Sequence, residues 1–396
     1  MAKTISPTLR IERVAVKDLE SLAHRDSQGS PDQGVVPINL RRARAHANNP
    51  HASPDDVSLI MAYLGDACVG YLGLMPGVLR RGETFHKVLF GTTLYVQPEF
   101  RRYGVVFSLM GELKRLGTDV VIAGQSDDAA SVYRHLRLKE LAKLTVYELK
   151  IRKGEVASIP LRVARRLLKR VGLPSGWLDS GIAGIDAMYY RVQKKRLYTR
   201  MARRSQAGME KIAWVEVSHV LPDEFDGLER SRAEPYFYRS AQVINWMIAD
   251  RWAECKADGK QTSGGYYFAS YCDDFRHLAV RLTAKPGNDC LGYVLLSIRK
   301  TASSSTLKLL DVRLGERLSM PAVVAVVIHY AKIYDVDRLE FGDEWLEVMS
   351  TAFSQSASTI RRERNYFYFD AAGEGLLTEV ADQLALSYCD GDRAFT

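Results

Sequence analysis

From Ser58 to Val96 the chain offers three apolar stretches, SLIMAYL, CVGYLGLM and HKVLFGTTLYV, with the turn sequences Gly-Asp and Arg-Arg-Gly-Glu between them. Stretches rich in Val, Leu, Tyr and Thr between tight-turn sequences form strands, and three in succession form an antiparallel meander. After Pro98 the apolar period becomes that of a helix, roughly Val105 to Leu116. DVVIAG then reads as a short buried strand, SDDAASVYRHLRL as a helix and KELAKLTVYELKI as one or two strands. Upstream, an extended and a helical segment occupy 12–27, QGSPDQG is a loop, and INLRRARAHA is a short helix. The first 150 residues therefore predict an α+β layer arrangement with one mixed sheet.

The second half repeats the pattern. WVEVSHV alternates as a strand does, SAQVINWMIADRWAECK is helical, and YYFASYC, HLAVRLTA, LGYVLLSIRK and STLKLLDVRL read as strands. The helix MPAVVAVVIHYAKIYD and the strand DRLEFG follow. Order and spacing predict two copies of one fold, the second diverged, and 396 residues exceed what one core usually supports. The expected division is 1–155, a basic helical connector 156–207, and 208–396, with the boundary in SQAGMEK.

Of the formal net charge of +8, more than the whole is concentrated between Arg162 and Arg204, where twelve basic residues face only Asp179 and Asp186. Such a region suits an acidic partner. PLRVARRLLKRVG within it is amphipathic and could meet a membrane surface peripherally, although packing on a neighbouring domain is the commoner use. The five cysteines form no CxxC pair, and no apolar run reaches 18 residues. These features predict a cytoplasmic protein with no disulfide framework, thiolate zinc site or membrane span. Motifs of metalloproteases, serine hydrolases, phosphate loops and zinc fingers are absent, so neither a metal nor nucleic acid is expected. His24, His46 and His51 lack ligand spacing and read as solvated, and the aromatic cluster from Tyr266 to Tyr271 reads as strand core.

The turn QPEFRRYGVV carries the most chemistry. Arg101, Arg102, Tyr103 and Gly104 stand at the entrance of a helix that lacks a Ser, Thr, Asp or Asn cap. The first amides of a helix have no intrahelical acceptor and favour negative charge, so a diphosphate could use them. An ordinary strand-to-helix junction remains the alternative on spacing alone. The turn resembles the coenzyme-binding turn of the GCN5-related N-acetyltransferase superfamily, with Arg101 at its first position and Gly104 at its central glycine. Val106 stands where that family has a final small residue. Further on, Tyr133 matches the family tyrosine, while Ser126 stands where Asn is expected, and Arg137 and Leu138 replace Gly-Phe.

The resemblance covers about residues 10 to 150 in element order. It implies a tandem of such folds, each a mixed, mostly antiparallel sheet flanked by helices. It implies acetyl-coenzyme A or another acyl-coenzyme A at Leu94, Tyr95, Val96, Arg101 to Val106 (with Val105 opening the helix) and Ser126. A small-molecule amine would attack the thioester, backbone N–H groups near Leu94 to Val96 would face the oxyanion, and Tyr133 would protonate the thiolate. His86 and Glu83, at the start of the third strand, are the candidate bases. Two other readings stay open: an acyl carrier protein as donor, docked on residues 162–204, and a noncatalytic binding protein with a degenerate cleft. The second half lacks the glycine turn, since Glu316 would oppose a diphosphate and Ser319 would cap the helix itself. Its end, CDGDRAFT, resembles the Asp-Gly-Asp ending of bacterial tandem proteins, and Asp390 to Asp392 reads as a solvated turn.

Overall fold

The computed structural model describes residues 8–28, 35–124, 127–141, 143–151, 176–205, 211–228, 235–256, 265–315, 320–353, 357–371, 375–392 and 395. Ser126, the basic run 162–170, Glu316, Ser319 and most of SQAGMEK lie outside them. In chain order the strands are β1 (Leu9–Ala15), β2 (Val57–Leu64), β3 (Ala67–Arg81), β4 (Thr84–Val96), β5 (Val120–Ala123), β6 (Lys139–Glu140) and β7 (Leu144–Ile151). They continue with β8 (Ile212–Val217), β9 (Tyr236–Phe237), β10 (Glu254–Cys255), β11 (Tyr271–Cys272), β12 (Asp274–Ala284), β13 (Cys290–Lys300), β14 (Ser305–Leu314), β15 (Arg338–Gly342), β16 (Ala357–Arg364) and β17 (Tyr366–Phe369). The helices used below are α1 (Leu19–Gln28), α2 (Leu40–Ala47), α3 (Val105–Lys114), α4 (Asp127–His135), α5 (Gly176–Ser205), α6 (Pro222–Asp226), α7 (Ala241–Ala249) and α8 (Met320–Ile333).

Two mixed, mostly antiparallel sheets flanked by helices make the fold. The first has the order β1-β2-β3-β4-β5-β17-β6, with β9 added beside β3, and the second, read from its far edge, β8-β12-β13-β14-β15-β7-β16. The two orders correspond strand for strand. In each, a three-strand meander leads into a helix, α3 or α8, that carries the chain across to a parallel neighbour, β4 to β5 and β14 to β15. A parallel pair needs such a crossover, whereas meander neighbours need only turns. This is the tandem arrangement that the sequence resemblance implies.

The sheets do not separate at one point in the chain. β7 follows the first half but pairs with β15 and β16, and β17, near the C-terminus, pairs with β5 and β6. The expectation of one mixed sheet in the first 150 residues is corrected accordingly. Consecutive strands usually neighbour one another, which is why the sequence favours the local pairing. Here both faces of β7 are covered, with Leu144 and Val146 in one core and Leu149 in another, so each half supplies a strand to the other's sheet.

Alternation along the strands sets which core each residue joins. Leu72, Leu74, Leu89, Val96 and Ile122 meet Val105, Leu109 and Leu113 of α3 on one face. Tyr71, Leu59 and Met61 pack beneath α1 on the other, and Phe90, Val121 and Tyr366 face Trp246 and Phe237 of the second half. In the second sheet, α8 is buried nearly all round, as its unbroken run of Ala, Val and Ile requires, and α5 lies over it. Among the described residues no helix is long and apolar enough to cross a membrane.

Candidate functional site at the opening of the first sheet

β4 and β5 pair in parallel only through Leu89–Val120, Phe90–Val121 and Gly91–Ile122. Beyond Gly91 the strands stop pairing while β4 stays bonded to β3 through Thr93, Leu94, Tyr95 and Val96. Backbone polar groups alternate sides along a strand, so part of those of Thr92 to Val96 point into the gap. A β-bulge marks its start, since Leu74 opposes Gly91 and Gly73 opposes Thr93, leaving Thr92 extra. The bulge reverses the alternation: Leu89 and Val96, an odd number of residues apart, both reach the α3 face. A Cβ on Gly91 would stand 3.0 Å from Ile122 Cγ1, so any larger residue here would have to push Ile122 aside.

The chain leaves β4 through a 3-10 turn, Pro98–Tyr103, and enters α3 at Gly104, whose φ of 71° is left-handed. Only glycine adopts that conformation without strain. No side chain caps the helix, and nothing lies within 4 Å of where a Gly104 Cβ would be. Arg101 and Arg102 are exposed at the turn, Arg101 Nε donating to Val96 O at 3.4 Å and Arg102 donating to Tyr103 Oη at 3.2 Å. Val105 is buried, and Val106 is half-buried against the α3-side core.

Tyr133, on α4, is buried with its ring 5.6 Å from Phe367, and burial pushes its phenol up to about 12. Glu83 and His86 are not brought to the gap. Glu83 sits in the β3–β4 hairpin with its side chain 98% exposed, 3.9 Å from Arg80, and His86 contacts Thr84 Oγ1 at 3.1 Å. Eight residues of extended strand separate Glu83 from Gly91, about 26 Å. The expectation that both start this strand holds for His86, whereas Glu83 falls in the turn before it, at the end of β4 remote from the gap.

On the face opposite α3, the gap is bordered by groups for which spacing gave no signal. Arg42 of α2 lies with its guanidinium carbon 3.6 Å from the Trp252 ring centre, and its Nη2 is 3.9 Å from Asp392. Arg364, where the chain passes from β16 to β17, reaches Asp392 at 3.5 Å and would stand 3.1 Å from a Cβ on Gly124, just past β5. Asp390 is fully buried and paired with Arg239, which also donates to Asp311 at 2.9 Å and to Ser387 Oγ at 3.0 Å. Within the Asp-Gly-Asp ending Asp390 is thus a buried ionic residue and not part of a solvated turn, while Asp392 stays partly exposed.

Two further expectations are corrected on this face. His46 is buried, with Nδ1 2.7 Å from Ser58 Oγ and its ring stacked 5.5 Å from Trp252, and burial pushes it down to about 3. His51 is half-buried and shifted down by the same cause. Of YYFASYC only Tyr271 and Cys272 form a strand. Tyr266 packs beside Tyr71, and Tyr267 is exposed against Tyr95 with ring centres 4.5 Å apart. Among the described residues no three His, Cys, Asp or Glu side chains converge as a metal site.

No protein-family model matches the chain, and no curated protein matches it. In shape it is similar to a GCN5-related N-acetyltransferase from Kribbella flavida, 12% identical with a TM-score of 0.49, over 92% of this chain and 72% of that one. A GCN5-related N-acetyltransferase from Anabaena variabilis is 10% identical with a TM-score of 0.46, over 91% and 72%. Saccharomyces cerevisiae N-myristoyltransferase is 9% identical with a TM-score of 0.47, over 92% and 85%.

Proposed function

We propose that this chain is an acyl-coenzyme A-dependent N-acyltransferase whose acceptor is the amine of a small metabolite, amino sugar or amino acid. The observation that carries the reading is one juxtaposition: a parallel pair that opens at Gly91, beside a helix that starts uncapped after left-handed Gly104. The open space at Gly104 fits a diphosphate, for which Arg101, Arg102, Tyr103, Gly104, Val105 and Val106 would form the cradle. When bound, the acyl-coenzyme supplies a thioester carbonyl as electrophile.

The chain's own groups would do the rest. Amides of Leu94 to Val96 that face the gap are donors for charge developing on the carbonyl oxygen. Tyr133 Oη would hold its proton at neutral pH, as any phenol does, and is the proposed proton donor to the leaving thiolate; burial pushes it further up, to about 12. Ser126 remains part of the proposed cofactor site from the resemblance alone. Glu83 and His86 are left out by their place on the hairpin. Calorimetry of coenzyme A and acetyl-coenzyme A with the wild type and with Gly104→Glu tests this reading. Micromolar binding that the substitution abolishes is expected; a folded wild type that binds neither ligand overturns it.

A second reading, in which the donor is an acyl carrier protein, is favoured by one face of α5. Lys195, Arg196, Arg200 and Arg203 are exposed there at helical spacing, around Val192 and Thr199. Complementary charge would speed encounter with an acidic donor. Reversing the four charges should then abolish carrier-dependent turnover, and unchanged turnover would sink this reading.

A further inference from the structure

Three arginines meet at the contact of the two halves, and they differ in how fully their donors are used. Each guanidinium nitrogen of Arg239 has a partner, in Asp311, Asp390 and Ser387. Arg42 and Arg364 are at least nine-tenths buried as well, yet Arg42 Nη2 and Arg364 Nε have no hydrogen-bond partner. Their shared carboxylate, Asp392, is 3.9 and 3.5 Å away and its side chain is 28% exposed. Two guanidiniums thus hold one loosely placed carboxylate between them.

Other unpartnered polar atoms belong to residues on the elements around them. Trp252 Nε1, Tyr71 Oη, Thr92 Oγ1 and Asn365 Oδ1 are buried without partners. Trp252 lies under Arg42, Tyr71 beside Tyr266 near Arg42, Thr92 at the bulge of β4, and Asn365 next to Arg364, its carbonyl accepting from Gly124. Buried polar groups are normally satisfied, so a cluster of exceptions calls for a missing partner. Three of these atoms can only donate, one can only accept, and two hydroxyls can do either. The missing partner is therefore chiefly an acceptor, and forked guanidiniums select oxyanions.

We infer that Arg42 and Arg364 form an oxyanion subsite for the acyl acceptor, so that the acceptor is an amine that also carries a carboxylate or a phosphate. The inference rests on the acyltransferase reading for the word acceptor, but the subsite itself does not. Gly124 and Phe90 place it at the end of the β4–β5 opening, on the face away from α3. An amine held there by its anionic group would approach the gap from the side opposite the proposed coenzyme cradle. Asp392 is the internal competitor that the acceptor's anion would displace.

The test uses the full chain, with inorganic phosphate and acetate as probes in calorimetry, each with and without saturating coenzyme A. Wild type should bind at least one anion at millimolar concentration. Arg364→Lys and Arg42→Lys, which keep charge but lose the fork, should weaken it about tenfold, and Asp392→Asn should tighten it severalfold. A purely structural Asp392 would give no tightening, so that variant decides the matter even where an arginine variant is unstable. Acetyl transfer is then compared for lysine against cadaverine and for glucosamine 6-phosphate against glucosamine. A tenfold or greater preference for the anionic member of either pair, collapsing in Arg364→Lys, is expected and says which anion is read. Coenzyme binding with no anion binding, or equal use of both members of each pair, overturns the subsite alone. Arginine-dependent anion binding without any coenzyme binding would keep the subsite and overturn the acyltransferase reading.

Discussion

The two sheets present the same opening and treat it in opposite ways. In the first, β4 and β5 part after Gly91–Ile122, with Thr92 bulged and Thr93 next to it. In the second, β14 and β15 part after Lys308–Glu340, with Leu310 bulged and Asp311 next to it. Leu310 is a core residue, and Asp311 binds Arg239, so the second opening is filled by its own side chains. Tyr388 adds a hydrogen bond to Glu340 at 2.7 Å. The first opening keeps a polar Thr92 with an unpartnered hydroxyl and borders two unsaturated arginines. A related backbone arrangement thus stays open in one half and is filled in the other, and the difference lies in which bulge side chains are polar and which charges are already paired.

The largest test of this contrast is on the strut. Arg239→Ala strands Asp311 and Asp390 in a buried site, and loss of one partner from such a group costs about 3–5 kcal/mol. Denaturant titration should show it as a lower midpoint with unchanged slope. A loss below about 1 kcal/mol would mean that the second opening does not depend on its ionic filling.

The cleft side has a pH signature instead. His46, lowered to about 3 by burial first and by Arg42 second, is neutral in the fold. A depressed histidine means the unfolded chain takes up protons first as pH falls. Its contribution is therefore complete above about pH 6.5 and declines toward pH 3, by up to about 1.4 kcal/mol per pH unit. Stability measured at pH 6 and pH 4 should differ less in His46→Asn than in the wild type.

A smaller effect of opposite sign belongs to the bulge. Thr92→Val removes a buried hydroxyl that has no partner and keeps the shape, so the protein without ligand should gain roughly 1 kcal/mol. Turnover should fall in the same variant if the hydroxyl faces a substrate, and a simple loss of stability would end that assignment. The smallest effect is expected at the hairpin. Glu83→Gln should change stability by less than about 0.5 kcal/mol and leave coenzyme binding unaltered.

Much of the fold was legible in local sequence. Turn dipeptides and apolar runs mark β2, β3 and β4, the change of period after Pro98 marks α3, and the same pattern recurs through β12, β13, β14 and α8. Gly104 was legible too, because its left-handed φ is a requirement on one residue. Tyr133 was singled out by resemblance, and its burial beside Phe367 involves a strand no local pattern could assign to that sheet.

Periodicity, composition and single-residue backbone demands are written along the chain, and by them the sequence determined two α+β copies and one glycine turn. The exchange of β7 and β17, the parity change at Thr92, the burial of Asp390 and the meeting of Arg42 with Arg364 were decided only in three dimensions. Apart from the bulge at Thr92, which β3 and β4 set between them, those features depend on pairing and desolvation between segments far apart in the chain. No neighbouring residues record which distant carboxylate a buried guanidinium will find, so that choice belongs to the packed structure.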